Sequence, residues 1–263
     1  MSENLYSLGE KYYIERNYKK AYELFKSSYE KGEDVYDSLN YMGCCQLNLG
    51  NYADAIKLFD KVIENNATWE RPIFNKGRVY LKLKNYSEAL AHFNRAMMIN
   101  PENEDVYFYL GRFYEETNEY GKAEQFYKKS LEICDNQPEA HLNLGLVYYH
   151  MGKLDSALLK FDKIVQEYNN ISNEKQILVD ALKDKGLVLT KSERFTDALN
   201  AYSKAHEHSP DDLEAIHGLA HIYYKLGDFN SSMHWVEKVL EKNPDYTLSN
   251  KLKKALLSKI KKK

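Results

Sequence analysis

Several kinds of residue are scarce in this chain, and each scarcity excludes something. Three cysteines occur in 263 residues, Cys44, Cys45 and Cys134; two are adjacent, the number is odd, and no CxxC is present. That pattern gives neither a disulfide framework nor a zinc site, so reduced structural thiols are expected. Net charge is nearly absent: 37 Lys and Arg against 39 Asp and Glu give −2. The chain as a whole therefore offers no strong field to nucleic acid or to an anionic membrane, and a charged partner must read a local patch. No 18 consecutive apolar residues occur, and Met1-Ser2-Glu3-Asn4-Leu5 lacks the basic segment and apolar run of a leader. A soluble, cytoplasmic protein is the expectation.

Catalytic patterns are missing as well. The glycines form no phosphate-binding loop, and no serine sits in a nucleophile elbow. His217 and His221 are four apart and share a helix face. Gly218 stands where the metalloprotease pattern HExxH needs glutamate, and no third ligand is evident, so solvated histidines are expected. No cofactor, no metal and no enzymatic activity are expected.

What the chain does have is a period. Glycine recurs every 34 residues at Gly9, Gly43, Gly77, Gly111 and Gly145, and the rhythm resumes seven residues late at Gly186 and Ala220. Four residues before this position stand Leu5, Leu39, Ile73, Tyr107, His141, Leu182 and Ile216, and three after it Tyr12, Gln46, Tyr80, Tyr114, Tyr148, Leu189 and Tyr223. Spacings of three, four and seven make one apolar helix face. Twelve residues after the glycine comes a small residue (Ala21, Ala55, Ala89, Ala123, Ala157, Ala198, Ser232), and four further on a bulky one (Phe25, Phe59, Phe93, Tyr127, Phe161, Tyr202, Val236). These mark a second helix. Between the two lie breakers carrying an anchor: Tyr18, Tyr52, Tyr86, Tyr120, Leu154, Phe195 or Phe229. Antiparallel helices approach closely only where a side chain is nearly absent, so glycine and alanine are expected at the crossings with aromatics around them.

With residue type, spacing and period agreeing over seven units, the chain resembles tetratricopeptide repeat proteins. The resemblance implies an all-α, right-handed superhelical solenoid of seven helix-turn-helix repeats with a C-terminal capping helix. The register gives one domain over residues 1–263, with repeats at 2–35, 36–69, 70–103, 104–137, 138–171, 179–212 and 213–246. The seven extra residues, 172–178, contain no breaker and predict a longer first helix in repeat six, starting near Ser172 or Asn173 as N-cap. In residues 247–260, Leu248, Leu252, Leu256 and Ile260 recur every four residues and predict the capping helix. Seven lysines among its last thirteen residues give a solubilising end.

The resemblance further implies that first helices line a concave groove. In repeats three and four the groove positions hold Arg71, Phe74, Asn75, Arg78, Lys82, Phe108, Tyr109 and Arg112. Arg78 and Arg112 are equivalent positions of successive repeats, on one wall. Arg, Phe and Tyr are residue types favoured at interface hot spots, and the arginine fork suits a carboxylate. The expected partner is another protein or peptide, acidic or with a free C-terminus, held by a non-catalytic scaffold or adaptor. The competing expectation is that the arginines pair with Asp105, Glu115 or Glu116. The clamp that related repeats use for the chaperone C-terminus is not matched: Tyr6 and Glu10, Tyr41, then Arg71 and Asn75 stand where Lys and Asn, Asn, then Lys and Arg are needed. Two alternatives remain: nucleic-acid binding, opposed by acids at Glu3, Glu10, Asp37, Asp105, Glu139, Asp180 and Glu214, and weak self-assembly, one chain's end entering another's groove.

Overall fold

The computed structural model describes residues 4–168 and 175–260, all helix and short turns. The helices form two compact units, Met1–Cys134 and Asp135–Lys263. The first contains α1 (Leu5–Ile14), α2 (Tyr18–Glu30), α3 (Val35–Asn48), α4 (Tyr52–Asn65), α5 (Glu70–Lys82), α6 (Tyr86–Ile99), α7 (Glu104–Glu116) and α8 (Tyr120–Ile133). The second contains α9 (Pro138–His150), α10 (Leu154–Tyr168), α11 (Lys175–Lys191), α12 (Phe195–His208), α13 (Leu213–Leu226), α14 (Phe229–Lys242) and α15 (Thr247–Ile260). Among the described residues, no helix is long and apolar enough to cross a membrane.

Every periodic glycine lies in a first helix, and every anchor opens a second helix. The crossing differs in one detail from the expectation. The space a glycine leaves is filled by the bulky residue of the second helix, while the alanine is buried beside it. A Cβ on Gly77 would stand 2.7 Å from Phe93 Cε1, one on Gly43 2.5 Å from Phe59 Cε1, and one on Gly111 2.6 Å from Tyr127 Cδ1. Real carbons do not approach so closely, so these positions admit only hydrogen. In the second unit Tyr202 serves two first helices, because a Cβ on Gly186 or on Gly218 would each strike its ring.

The turns inside the hairpins place one residue in the left-handed region. Gly50, Gly152 and Gly227 do this without a Cβ penalty, but the same turn is made by Arg16 (φ 59°), Lys84 (φ 56°), Asn118 (φ 60°) and Glu193 (φ 58°). Asn85 then caps α6 by accepting from the Glu88 amide at 3.4 Å. A left-handed L-residue costs roughly 1–2 kcal/mol, so Lys84→Gly, set against the entropy glycine loses on folding, should stabilise the chain by about 0.5–1 kcal/mol in urea unfolding. A loss of stability would show that the lysine side chain holds this turn.

Helix α11, with 17 residues, is longer than the 13 or 14 of most first helices, in line with the insertion extending it. The proposed N-cap, Ser172 or Asn173, lies outside the described residues. In α15 the stripe differs from the reading by fours: Leu252 and Leu256 are buried, Leu248 is 53% exposed, and Ser249 is buried in its place. The Ser249 hydroxyl sits 2.9 Å from His217 Nδ1. A step of three followed by one of four tracks a helix of 3.6 residues per turn better than two steps of four.

The histidines are not solvated groove groups. His217 and His221 are half-buried and stack with ring centroids 6.4 Å apart and planes 9° from parallel. Burial, and then the charge of His221, pushes His217 down to about 4. Nearby, Lys183 bonds Asp212 at 3.0 Å and Glu214 at 2.9 Å and pairs with Asp180 at 3.1 Å. Asp184 lies beside this network. Its carboxyl is pushed up to about 7 by burial first, then by Asp180 and Glu214, against the pull of Lys183. A raised folded-state pKa contributes stability below the unfolded value near 3.8 that is lost as pH rises toward 7. Asp184→Asn should therefore stabilise the second unit at pH 8, on the order of 2 kcal/mol, and leave the melting temperature unchanged at pH 4. An equal effect at both pH values in thermal melts would contradict this.

Candidate interaction surface

The side chains brought together by the first unit begin with a packing problem. Helices α3, α5 and α7 are the first helices of successive hairpins, and α5 is covered on both sides. Phe74 and Asn75, expected to face a partner, are buried, at 5% and 6% exposure. Phe74 packs edge-on to Tyr109, with centroids 5.3 Å apart. Asn75 donates to Asn40 Oδ1 at 3.2 Å and reaches Cys44 Sγ at 3.2 Å, so it ties α5 to α3. Both residues are largely buried and form part of the floor of the wall.

Asn75 also accepts a hydrogen bond from Arg78 Nη1 at 2.9 Å, which fixes that guanidinium. The Arg78 guanidinium lies 4.9 Å from the centre of the Tyr109 ring, and the Arg112 guanidinium 5.5 Å from the same centre. One tyrosine therefore carries two cations, each drawn to the negative face of the ring. Their mutual repulsion is only partly offset. Arg112 meets Glu116 at 3.7 Å, which fulfils one of the three expected pairings. Among the described residues, Arg71, Arg78 and Lys82 form no ion pair. Glu115 accepts from the Tyr127 hydroxyl at 2.6 Å. Arg78 Nε is out of reach of solvent and has no hydrogen-bond partner. A buried guanidinium N–H left unpaired costs about 1–3 kcal/mol, a local cost of holding the guanidinium in this place.

Two cavities open on either side of Arg78. One, of about 350 Å³, is lined by Leu47, Leu49 and Leu81 and by Arg78, Lys82 and Arg112, with Glu116 the single acid. The other, of about 430 Å³, is polar and carries Arg71 together with Glu70, Glu102, Glu104 and Asp105. Burial, and then the charge of Glu104, holds the Asp105 carboxyl above the usual carboxylate range. Phe108 is half-buried, its ring 5.3 Å from Tyr109 and 5.8 Å from Tyr127. Of the eight expected residues, Arg71, Phe74, Asn75, Arg78, Lys82, Tyr109 and Arg112 line one or other of these two cavities, and Phe108 lines neither.

The sequence reading passed over Leu47, Asn48 and Tyr52, which line the first cavity. The period held the signal: Leu47 and Asn48 stand 34 residues before Leu81 and Lys82. Cys44 takes the position of Arg78 in the preceding repeat, and burial pushes its thiol up to about 11, which keeps it protonated and poorly nucleophilic. Among the described residues no group of three or more His, Cys, Asp or Glu is placed to hold a metal ion.

Comparison with known proteins gives consistent matches. Three family models described as tetratricopeptide repeat match residues 42–104, residues 126–158, and residues 80–133 with 189–256. A human protein described as "Protein IFIT1 homolog B" is 28% identical over 112 residues, covering 38% of this chain and 24% of that relative. The chain thus spans only about a quarter of that curated relative. Among solved structures, a chain of the APC/C hetero-tetramer Cut9–Hcn1 superposes with a TM-score of 0.76 at 16% identity, over 96% of this chain and 48% of that one. PilF of Pseudomonas aeruginosa gives 0.71 at 17% identity, over 84% and 97%. YrrB, described as a repeat protein with an unusual peptide-binding site, gives 0.60 at 20% identity, over 74% and 97%. These likenesses establish the helical-repeat fold.

Proposed function

Since the chain belongs to the tetratricopeptide repeat family, we propose that it is a non-catalytic scaffold or adaptor that holds an acidic segment of another protein against the wall built by α3, α5 and α7. The observation that carries this reading is Arg78, a guanidinium fixed by Asn75 that lines both cavities and forms no ion pair among the described residues. A carboxylate in the first cavity is the ligand that suits this charge, because a charge-assisted bond to a guanidinium is about twice as strong as a neutral one. Arg112 and Lys82 border the first cavity and would add to the attraction, and the leucines that line it, Leu47 and Leu81 buried and Leu49 half-buried, would take a small apolar neighbour. Nucleic acid fits less well. Glu70, Glu102, Glu104 and Asp105 lie along the same wall and would repel a phosphodiester chain. The Lys-rich end of α15 serves solubility in this reading.

Site-directed photo-cross-linking tests the proposal. A benzophenone side chain in place of Phe108 should capture a segment that contains Asp or Glu, and the same probe in place of Lys254 should not. Capture of the partner through position 254 alone would overturn the reading and make α15 the working surface.

A further inference from the structure

The two cavities beside Arg78 differ in sign. The first presents Arg78, Lys82 and Arg112 against Glu116, with a leucine lining; the second presents Glu70, Glu102, Glu104 and Asp105 against Arg71 and the far side of Arg78. A uniformly acidic segment would suit the first and be repelled by the second. A uniformly basic one would meet the converse. We infer that the occupant is bipolar: an Asp or Glu next to an aliphatic residue enters the first cavity, and a Lys or Arg of the same segment enters the second.

The spacing follows from helix geometry. The second cavity takes α5 residues Glu70 to Arg78 and the first takes Arg78 to Lys82. Their midpoints are six residues apart on α5, about 9 Å at 1.5 Å per residue, which an extended chain spans with about three residues. The charges of the occupant should therefore be separated by two or three positions. Arg78 is the divider. Its guanidinium cannot move away, because Asn75 holds Nη1 and the rings of Phe74 and Tyr109 flank it at 5.7 and 4.9 Å. Asp105 supports the assignment: it is exposed at the second cavity and forms no ion pair among the described residues. A cation in this cavity would offset the repulsion between Asp105 and Glu104.

This inference rests on the groove reading, and the test separates the two. Fluorescein-labelled peptides with the core Leu-Glu-Ser-Gly-Lys, the reversed core Lys-Gly-Ser-Glu-Leu, an all-acidic core with Glu for Lys, and an all-basic core with Lys for Glu are titrated by anisotropy against the full chain. One of the two bipolar orders should bind at least tenfold more tightly than the acidic peptide. Glu102→Gln combined with Asp105→Asn should reduce that peptide to the level of the acidic one; Glu102→Gln alone, at an exposed position, should give part of the loss. If the acidic peptide binds as well as both bipolar orders, the second cavity takes no cation and the inference fails while the groove reading stands. If no peptide containing Glu binds and cross-linking maps the partner elsewhere, both fall.

Discussion

Gly77→Leu should cost roughly 3 kcal/mol in denaturant unfolding, the scale of severe overpacking. Even a bare Cβ at this position would lie 2.7 Å from Phe93 Cε1 and 3.2 Å from His92 Cβ, and Phe93 is fully buried with no space to yield. A leucine adds three carbons beyond that. The hairpin α5–α6 must open, and because a repeat contacts chiefly its neighbours, α1–α4 should uncouple from α7–α8. Ala89→Phe, at the fully buried alanine beside the same crossing, should act in the same direction. Gly121 supplies the contrast. A Cβ there meets nothing within 4 Å, so Gly121→Ala in α8 should be neutral or stabilise by up to about 1 kcal/mol. Equal melting of Gly77→Leu and the unmodified chain would mean that the hairpin register is wrong.

Arg112→Glu combined with Lys82→Glu should weaken binding of the cross-linked partner segment by at least about 100-fold, since each truncated hot-spot arginine costs about 2 kcal/mol and reversal adds repulsion. Stability should change little. Arg112 is partly exposed and paired only loosely with Glu116, and Lys82 is exposed, so both changes belong to the class of surface substitutions worth within about 0.5 kcal/mol. Arg78 is different in kind. From its place on the groove it reads as freely replaceable, but with Asn75 holding it and Tyr109 stacked on it, Arg78→Glu would leave a carboxylate in a buried site and destabilise the first unit. The surface pair is therefore the cleaner probe of binding. Reversal of Lys251, Lys253, Lys254 and Lys259 to Glu is the control, and loss of binding there with retention in the surface pair would exclude the wall. Rising salt should weaken the unmodified complex.

Much of the fold is legible because its packing is periodic. Each glycine must repeat where Phe25, Phe59, Phe93, Tyr127, Phe161 or Tyr202 repeats, and each anchor must open a second helix, so steric demands recur in the chain at 34 residues. What escaped is what the period does not record. Arg16, Lys84 and Glu193 occupy left-handed turns that their side chains do not require. Ser249 replaced Leu248 in the buried stripe of α15 because a bonded histidine, contributed by α13, selects a hydroxyl there. Buried His141 survives at an apolar position because its Nε2 lies 3.1 Å from the Asp135 carbonyl oxygen. Around the candidate wall, residue type identified the arginines, but the burial of Phe74 and Asn75 depends on the neighbouring hairpins closing over α5, which one repeat in isolation cannot reveal.

Amide hydrogen exchange of the chain, with and without a saturating amount of the cross-linked segment, tests the wall most directly. The account predicts that added protection concentrates in α5 and α7 and at the C-terminal end of α3, where Leu47, Arg78, Tyr109 and Arg112 border the cavities. Protection confined to the second helices α2, α4, α6 and α8, or to α9–α15, would contradict it.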